Sequence, residues 1–177
     1  MNTYFGDLHN HCGITYGFGS LENAIKRAKS QLDFCAFTGH AMWPDMYEKA
    51  PGTEFVVNFH LEGFKKLQDH WEEIREKIAK ANSPDFVTFQ GYELHSREYG
   101  DHHLISPDDT LPLIYRNSPR ELVEDCKKEA VAIAHHIGYT PDYRGIDWEK
   151  FNSAVTPVVE VYSKHGCSMS EDADYPY

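Results

Sequence analysis

The chain is 177 residues long, enough for one domain with a buried core and too short for two comfortable ones, so residues 1–177 are expected to form a single domain. A formal charge of −11 speaks against a nucleic-acid surface, because neutralising phosphates takes clustered lysine and arginine. Charged and apolar fractions are ordinary for a globular protein, which sets disorder aside.

No apolar run approaches a membrane span, and Met1 to His9 has neither a basic nor a long apolar stretch, so no membrane partner is expected. Cys12, Cys35, Cys126 and Cys167 are scattered with no C-x-x-C pair, which fits a reducing compartment and a cytoplasmic address. Eleven histidines is a high count, and several stand beside Gly, Asp or Glu at the ends of apolar runs.

Short apolar runs alternate with helical patterns along the chain. Tyr4-Phe5 lead into Gly6-Asp7-Leu8-His9, the first strand candidate. Ser20 can cap a helix whose Leu21, Ala24, Ile25 and Ala28 share one face. Phe34-Cys35-Ala36-Phe37 is a second strand, and about Ala41 to Val57 is expected as a long loop. Phe64, Leu67, Trp71, Ile74 and Ile78 then recur at spacings of three and four, an amphipathic helix stopped by Ser83-Pro84. Phe86 to Phe89 is the third strand, running into Gln90-Gly91-Tyr92-Glu93. A further strand is expected around His103 to Ser106. Ser118-Pro119-Arg120-Glu121 opens a helix through about Glu129 with a capping box and proline at its first position. Val131 to Ala134 and Val158 to Val161 are the last strands. Continuous apolar runs rather than alternations predict an α/β fold with a parallel sheet covered on both faces.

The strand candidates end in His or Glu: His9 and His11, His40, Glu93, His135 and Glu160. In parallel α/β folds such ends form one rim, so residues distant in sequence converge there. An extended Asp7-Leu8-His9-Asn10-His11 would face Asp7, His9 and His11 to one side, where two imidazoles can chelate an ion and Asp7 can orient a ligand.

Asp-Leu-His-Asn-His resembles the opening motif of the PHP (polymerase and histidinol phosphatase) superfamily. Phe37-Thr38-Gly39-His40 resembles its second motif, Gly91-Tyr92-Glu93 its bridging glutamate, and His103-Leu104-Ile105 and Ala134-His135 its later ligand motifs. The resemblance, which spans nearly the whole chain, implies a distorted (β/α)7 barrel and two or three divalent ions, Zn, Mn or Fe. The implied ligands are His9, His11, His40, Glu93, His103 and His135. The implied chemistry is hydrolysis of a small-molecule phosphoester by a water shared between ions and deprotonated near neutral pH. Gly39 stands where the family has Asp, Tyr16-Gly17 occupy a later position of the first motif, and no final Asp-x-His motif occurs. The tail Ser168 to Tyr177 is expected as loop. The barrel is therefore expected to be incomplete in this chain, the N-terminal part of a larger barrel, or covered by a partner chain, a homo-oligomer among the options.

His165 and His136 are candidates to protonate the leaving oxygen, and Arg97, Arg144 and Lys164 to hold non-bridging oxygens, with Asp7 and Glu160 beside the ligands. His60 and His70 are expected on the helix surface and His95 in a loop. Of each adjacent pair, His103 rather than His102 and His135 rather than His136 are taken as facing the ions. Cys12 is expected as a packed thiol. The same ligand set also suits an amidohydrolase acting on a C–N or C–O bond, or a metal-stabilised module without turnover.

Overall fold

The computed structural model describes residues 1–140 and 143–168. In chain order its elements are β1 (Gly6–Asp7), α1 (Leu21–Lys29), β2 (Phe34–Ala36), β3 (Gly39–Met42), α2 (Glu54–Lys80), β4 (Val87–Leu94), β5 (His102–Ser106), α3 (Pro119–Cys126), β6 (Val131–Ala134), β7 (Val158–Val159), β8 (Tyr162–Ser163) and β9 (Gly166–Cys167). The tail expected as loop lies, beyond Ser168, outside the described residues.

Local sequence accounts for the helices. Ser20 Oγ accepts the backbone N–H of Asn23 and starts α1, whose Leu21 is buried and whose Ala24, Ile25 and Ala28 pack on the core. In α2 the stripe Phe64, Leu67, Trp71, Ile74 and Ile78 is buried against the sheet, and Trp71 Nε1 donates to Leu111 O at 2.9 Å. Ser118 caps α3 and Pro119 opens it, but α3 stops at Cys126 rather than near Glu129 because Lys127 adopts φ 51°. The expected loop after His40 is shorter at both ends, since β3 runs to Met42 and α2 begins at Glu54.

The main sheet is a curled half-barrel in the order β1-β2-β4-β5-β6-β7, with β3 also on β4. β2 and β3 are one interrupted strand lying along the same side of β4. The break falls at Phe37-Thr38, where Thr38 N–H turns to Asn10 O at 2.9 Å.

One expectation is corrected here. The sheet is mixed, because β5 runs antiparallel to both β4 and β6 while the remaining pairs are parallel. Apolar runs report that both faces are covered, not strand direction. The short link from Leu94 to His102 is the better signal, since a parallel crossover takes a dozen residues or more. The incomplete barrel expected of this chain is found as an open, mixed half-barrel: among the described residues β1 and β7 each pair on one side only.

Alternation splits the sheet into two faces. Tyr92, Leu94 and Leu104 join the main core with Leu67, Trp71 and Ile78 of α2. The opposite face carries a smaller cluster of Ala36, Ile105 and Ile133 with Leu8 and Phe89, and Glu93 and His103 share that face by period two. No described helix is long and apolar enough to cross a membrane.

Leu67 is fully buried at the α2–sheet contact. Leu67→Ala is expected to lower stability by about 2–5 kcal/mol, the usual cost of a leucine-sized core cavity. Urea unfolding would read this as a lower midpoint at unchanged slope, and an unchanged midpoint would contradict the packing described.

Candidate metal centre

Glu93 sits one residue before the end of β4, paired across the sheet with His40 of β3 on one side and His103 of β5 on the other. Residues in register present side chains to the same face, so a carboxylate lies between two imidazoles. Because β5 runs backwards, its first residues stand at the rim where β4 ends, which brings His103 to the site despite the reversed direction. His135 follows directly on β6, and Glu160 follows β7 with its N–H on Ala134 O at 2.8 Å. The Asp7-to-His11 segment leaves the sheet after Asp7, yet still brings His9 Nε2 to 2.9 Å from His11 Nε2.

Glu93 is 1% exposed. Its Oε2 lies 3.2 Å from His11 Nε2, 3.5 Å from His40 Nε2, 3.8 Å from His9 Nε2 and 3.9 Å from His103 Nε2. Its Oε1 lies 3.2 Å from both His135 Nε2 and His95 Nδ1. Burial opposes ionisation of Glu93, but the imidazoles of His40, His135, His95 and His11 hold its carboxyl well below the ordinary value. Burial also pushes His40 and His103 well below 6.5, so both present lone pairs rather than charge at neutral pH.

Three overlapping groups could hold a metal ion: His9, Glu93, His103 and His135; His11, His40 and Glu93; and Glu93, Asp101, His135 and His136. In the first group His9 Nδ1 faces Glu160 Oε2 at 2.7 Å, so a carboxylate fixes the ring and leaves Nε2 for the centre. Burial pulls His9 down, but the Glu160 hydrogen bond and the charges of Glu93, Glu160 and Asp7 outweigh it and raise its pKa.

The fit to a divalent ion rests on orphaned atoms. Glu93 Oε2, His103 Nε2, His135 Nδ1 and His11 Nδ1 are buried without a hydrogen-bond partner. Buried polar atoms are normally paired, and leaving one unpaired costs about 1–3 kcal/mol. Atoms on one tetrahedral zinc stand roughly 3.3 Å apart, which matches the spacing between Glu93 Oε2 and His11 Nε2. Nitrogen-rich donors with a carboxylate suit Zn, Mn or Fe better than Mg or Ca.

The centre opens into a cleft of about 820 Å³ whose lining includes Arg144, His136, Lys164, His165, Tyr16 and His60. The His136 and His165 rings are 4.5 Å apart. His136 adopts φ 53°, which lets it turn into the cleft beside His135, so facing the site is not exclusive to one of the pair. His102 points the other way, with Nδ1 donating to Gly100 O at 2.9 Å. A second hollow of about 710 Å³ is lined by Tyr4, Leu8, Phe34, Phe86, Val87 and Phe89 with Asp33 and Asp85, and none of the clustered histidines reaches it.

Several expected positions need correction. Arg97 does not line the cleft; its guanidinium lies over the Tyr47 ring at 4.4 Å and its N–H bonds Asp45. Asp7 borders the cleft but its Oδ1 accepts the His9 backbone N–H at 2.9 Å, and Glu160 orients the His9 ring instead. His95 lies in the loop after β4 as expected, but it is buried among the cluster. His60 faces the cleft, its ring 5.1 Å from Trp43 and 5.6 Å from His95. His70 is exposed as expected. Cys12 is buried, and burial raises its thiol pKa, consistent with packing.

Residues missed in the sequence had a signal. His95 and Asp101 lie two residues from Glu93 and His103, on the same face by alternation, and His60 extends the stripe of Phe64 and Leu67 one turn back. Tyr16 reaches the site because Gly63 of α2 has no side chain; a Cβ there would overlap the Tyr16 ring. Tyr16 OH lies 3.2 Å from His95 Nε2.

No family model matches this chain, and no curated protein does. Among solved structures the chain is similar to PsfC from Pseudomonas syringae PB-5123, with a TM-score of 0.53 and 15% sequence identity. The match covers 91% of this chain and 66% of PsfC, so the chain spans just under two thirds of that protein's length. At this identity the likeness speaks for the α/β fold alone.

His9→Ala and Glu93→Ala are each expected to lose bound metal, whereas His70→Ala keeps it. Glu160→Ala is expected to weaken metal affinity by about 10–100-fold, as removal of an outer carboxylate does. Elemental analysis and competition with a chromogenic chelator check both, and equal affinity in all variants would contradict the arrangement.

Acid is expected to weaken the metal-free fold. Burial pushes His102 down to about 4, and His40 and His103 move the same way, while 6.5 is the ordinary value. The unfolded chain therefore takes up these protons first, so their contribution is present above pH 6.5 and lost as pH falls below it. His9, raised, opposes this alone among the histidines with displaced values. Urea midpoints measured in chelator should fall from pH 7 to pH 5; a flat or rising midpoint would count against the buried neutral imidazoles.

Proposed function

We propose that this chain is a metal-dependent hydrolase of PHP-like kind that cleaves small phosphoesters. The observation that carries the reading is the Glu93 carboxylate, fully enclosed among imidazoles with its Oε2 unpaired, at the floor of a cleft that also holds Arg144 and Lys164. His9, His11, His40, Glu93, His103 and His135 would hold two divalent ions. When bound, such ions supply Lewis-acid polarisation and activation of water.

The chain's own residues supply the rest. Arg144 and Lys164 offer positive charge to the non-bridging oxygens of a phosphoryl group. His136 and His165 stand side by side in the cleft, and burial lowers both pKa values, so each is neutral at pH 7 and relays a proton rather than holding one. Tyr16, also in the cleft, stays protonated, its pKa raised by burial and by the charge of Glu93.

With added Mn or Zn the protein is expected to hydrolyse chromogenic phosphomono- or phosphodiesters slowly, and chelator is expected to abolish this. Glu93→Ala should remove turnover, and Lys164→Ala should raise KM more than it lowers kcat. Turnover confined to amide or lactone substrates would move the assignment to the amidohydrolase reading, and no turnover at all in metal-loaded protein would leave a metal-stabilised module.

A further inference from the structure

We propose that His60 reads the organic half of the substrate, its Nε2 accepting a hydrogen bond from a hydroxyl group, so that the ester cleaved is a polyol or sugar phosphate. The inference rests on the phosphoester reading above and adds the class of alcohol that carries the phosphate. His60 lines the cleft from α2, and its Nδ1 lies 2.7 Å from Val56 O, one turn back in the helix. A carbonyl oxygen only accepts, so in the neutral ring Nδ1 carries the hydrogen and the lone pair stands on Nε2.

That lone pair is unclaimed. Among the described residues nothing bonds His60 Nε2, and it is not one of the buried unpaired atoms, so solvent reaches it. Burial lowers the pKa of His60, which leaves the ring neutral at pH 7. His60 also belongs to none of the groups of described residues that could hold an ion. The phosphoryl end of a substrate cannot use Nε2 either, because its oxygens carry lone pairs of their own and match Arg144 and Lys164 in the same cleft. What fits Nε2 is a donor hydrogen on the rest of the molecule. An ammonium would add charge beside Arg144 and Lys164, whereas a neutral hydroxyl adds none.

The position suits that part of an ester. Tyr16 stacks on the His40 ring at 4.1 Å and meets the His60 ring edge-on at 5.4 Å, so His60 stands one aromatic ring away from a candidate ligand. A phosphate at the centre and an acceptor one ring away are spaced for the two ends of a short polyol ester. Trp43 at 5.1 Å, Phe59 at 5.6 Å and Phe64 at 5.9 Å surround the His60 ring and, with the Val56 bond, hold its orientation. An acceptor fixed in this way costs little ordering when a hydroxyl arrives, and a substrate without one leaves it unpaired.

The test is equilibrium binding of two phosphonates to zinc-loaded protein by calorimetry, since phosphoesterases do not cleave a C–P bond. One is the dihydroxybutyl phosphonate isosteric with glycerol phosphate; the other is butyl phosphonate, which lacks the hydroxyls. Wild-type protein is expected to bind the first about 10–100-fold more tightly, the usual cost of an acceptor left unpaired. His60→Phe should bring the two affinities together, His60→Gln should keep part of the preference through its side-chain oxygen, and His70→Phe should keep all of it. Nitrogen NMR shifts of the His60 ring should show Nδ1 protonated and Nε2 bare. Equal affinities in wild-type protein, no binding of either phosphonate, tighter binding of aminobutyl phosphonate, or the opposite tautomer would each overturn the proposal. The preference without turnover of any ester would remove the hydrolase and leave a polyol-phosphate site; turnover of esters without the preference would remove the proposal and leave the hydrolase.

Discussion

The arrangement of this protein depends on one buried carboxylate. Enclosing an anion in a low-dielectric interior costs several kcal/mol unless charge or hydrogen bonds offset it. Around Glu93 the nearest groups are imidazoles, which hold its carboxyl ionised, but burial opposes charge on His40 and His103, so positive charge is still wanted. The raised pKa of His9 and the charge of Arg144 meet part of that demand. Unpaired lone pairs on Glu93, His103 and His135 mark the remainder, and divalent cations answer it chemically.

The fold keeps these groups at one rim by a route that strand direction alone conceals. β4 ends at the rim, β5 starts there, and β6 ends there again, so Glu93, His103 and His135 come from three adjacent strands of alternating direction. A residue at the start of a reversed strand is as near the rim as one at the end of a forward strand. The convergence needs only that short links return the chain on the same side.

Much of this was legible, and the gaps have physical reasons. Alternation and end position are properties of a single strand, which is why Glu93, His40 and His135 stood out before any pairing was known. Helix signals were equally local: Ser20, Ser118 and Pro119 act on the first turn that follows them. Strand direction is a property of pairs, and apolar runs do not encode it, so the all-parallel sheet was the wrong expectation. Arg97 and Arg144 illustrate the same limit for side chains. Both were near motif residues in sequence, but Asp45 anchors the backbone of one while Asp101 draws in the guanidinium of the other. Asp101 precedes β5 rather than ending a strand, so only its two-residue spacing from His103 marks the face it joins.

The two faces of β4 divide the labour of the molecule. Tyr92 and Leu94 anchor the strand in the large core beneath α2, while Glu93 between them points to the polar face. An electrostatically costly residue thus sits on the strand best able to tolerate it, since apolar burial on one side offsets the unpaired atoms on the other. The rest of the cleft has another origin. His136 and Arg144 adopt left-handed backbone, and Lys164 and His165 lie in the turn between β8 and β9. The candidate donors are therefore held by regular strands or by the loop that closes on them, whereas the groups proposed to face a substrate come from turns. Turns can change sequence without disturbing the sheet, so a proposed substrate would meet the part of the site most free to vary while the candidate donor set stays the same.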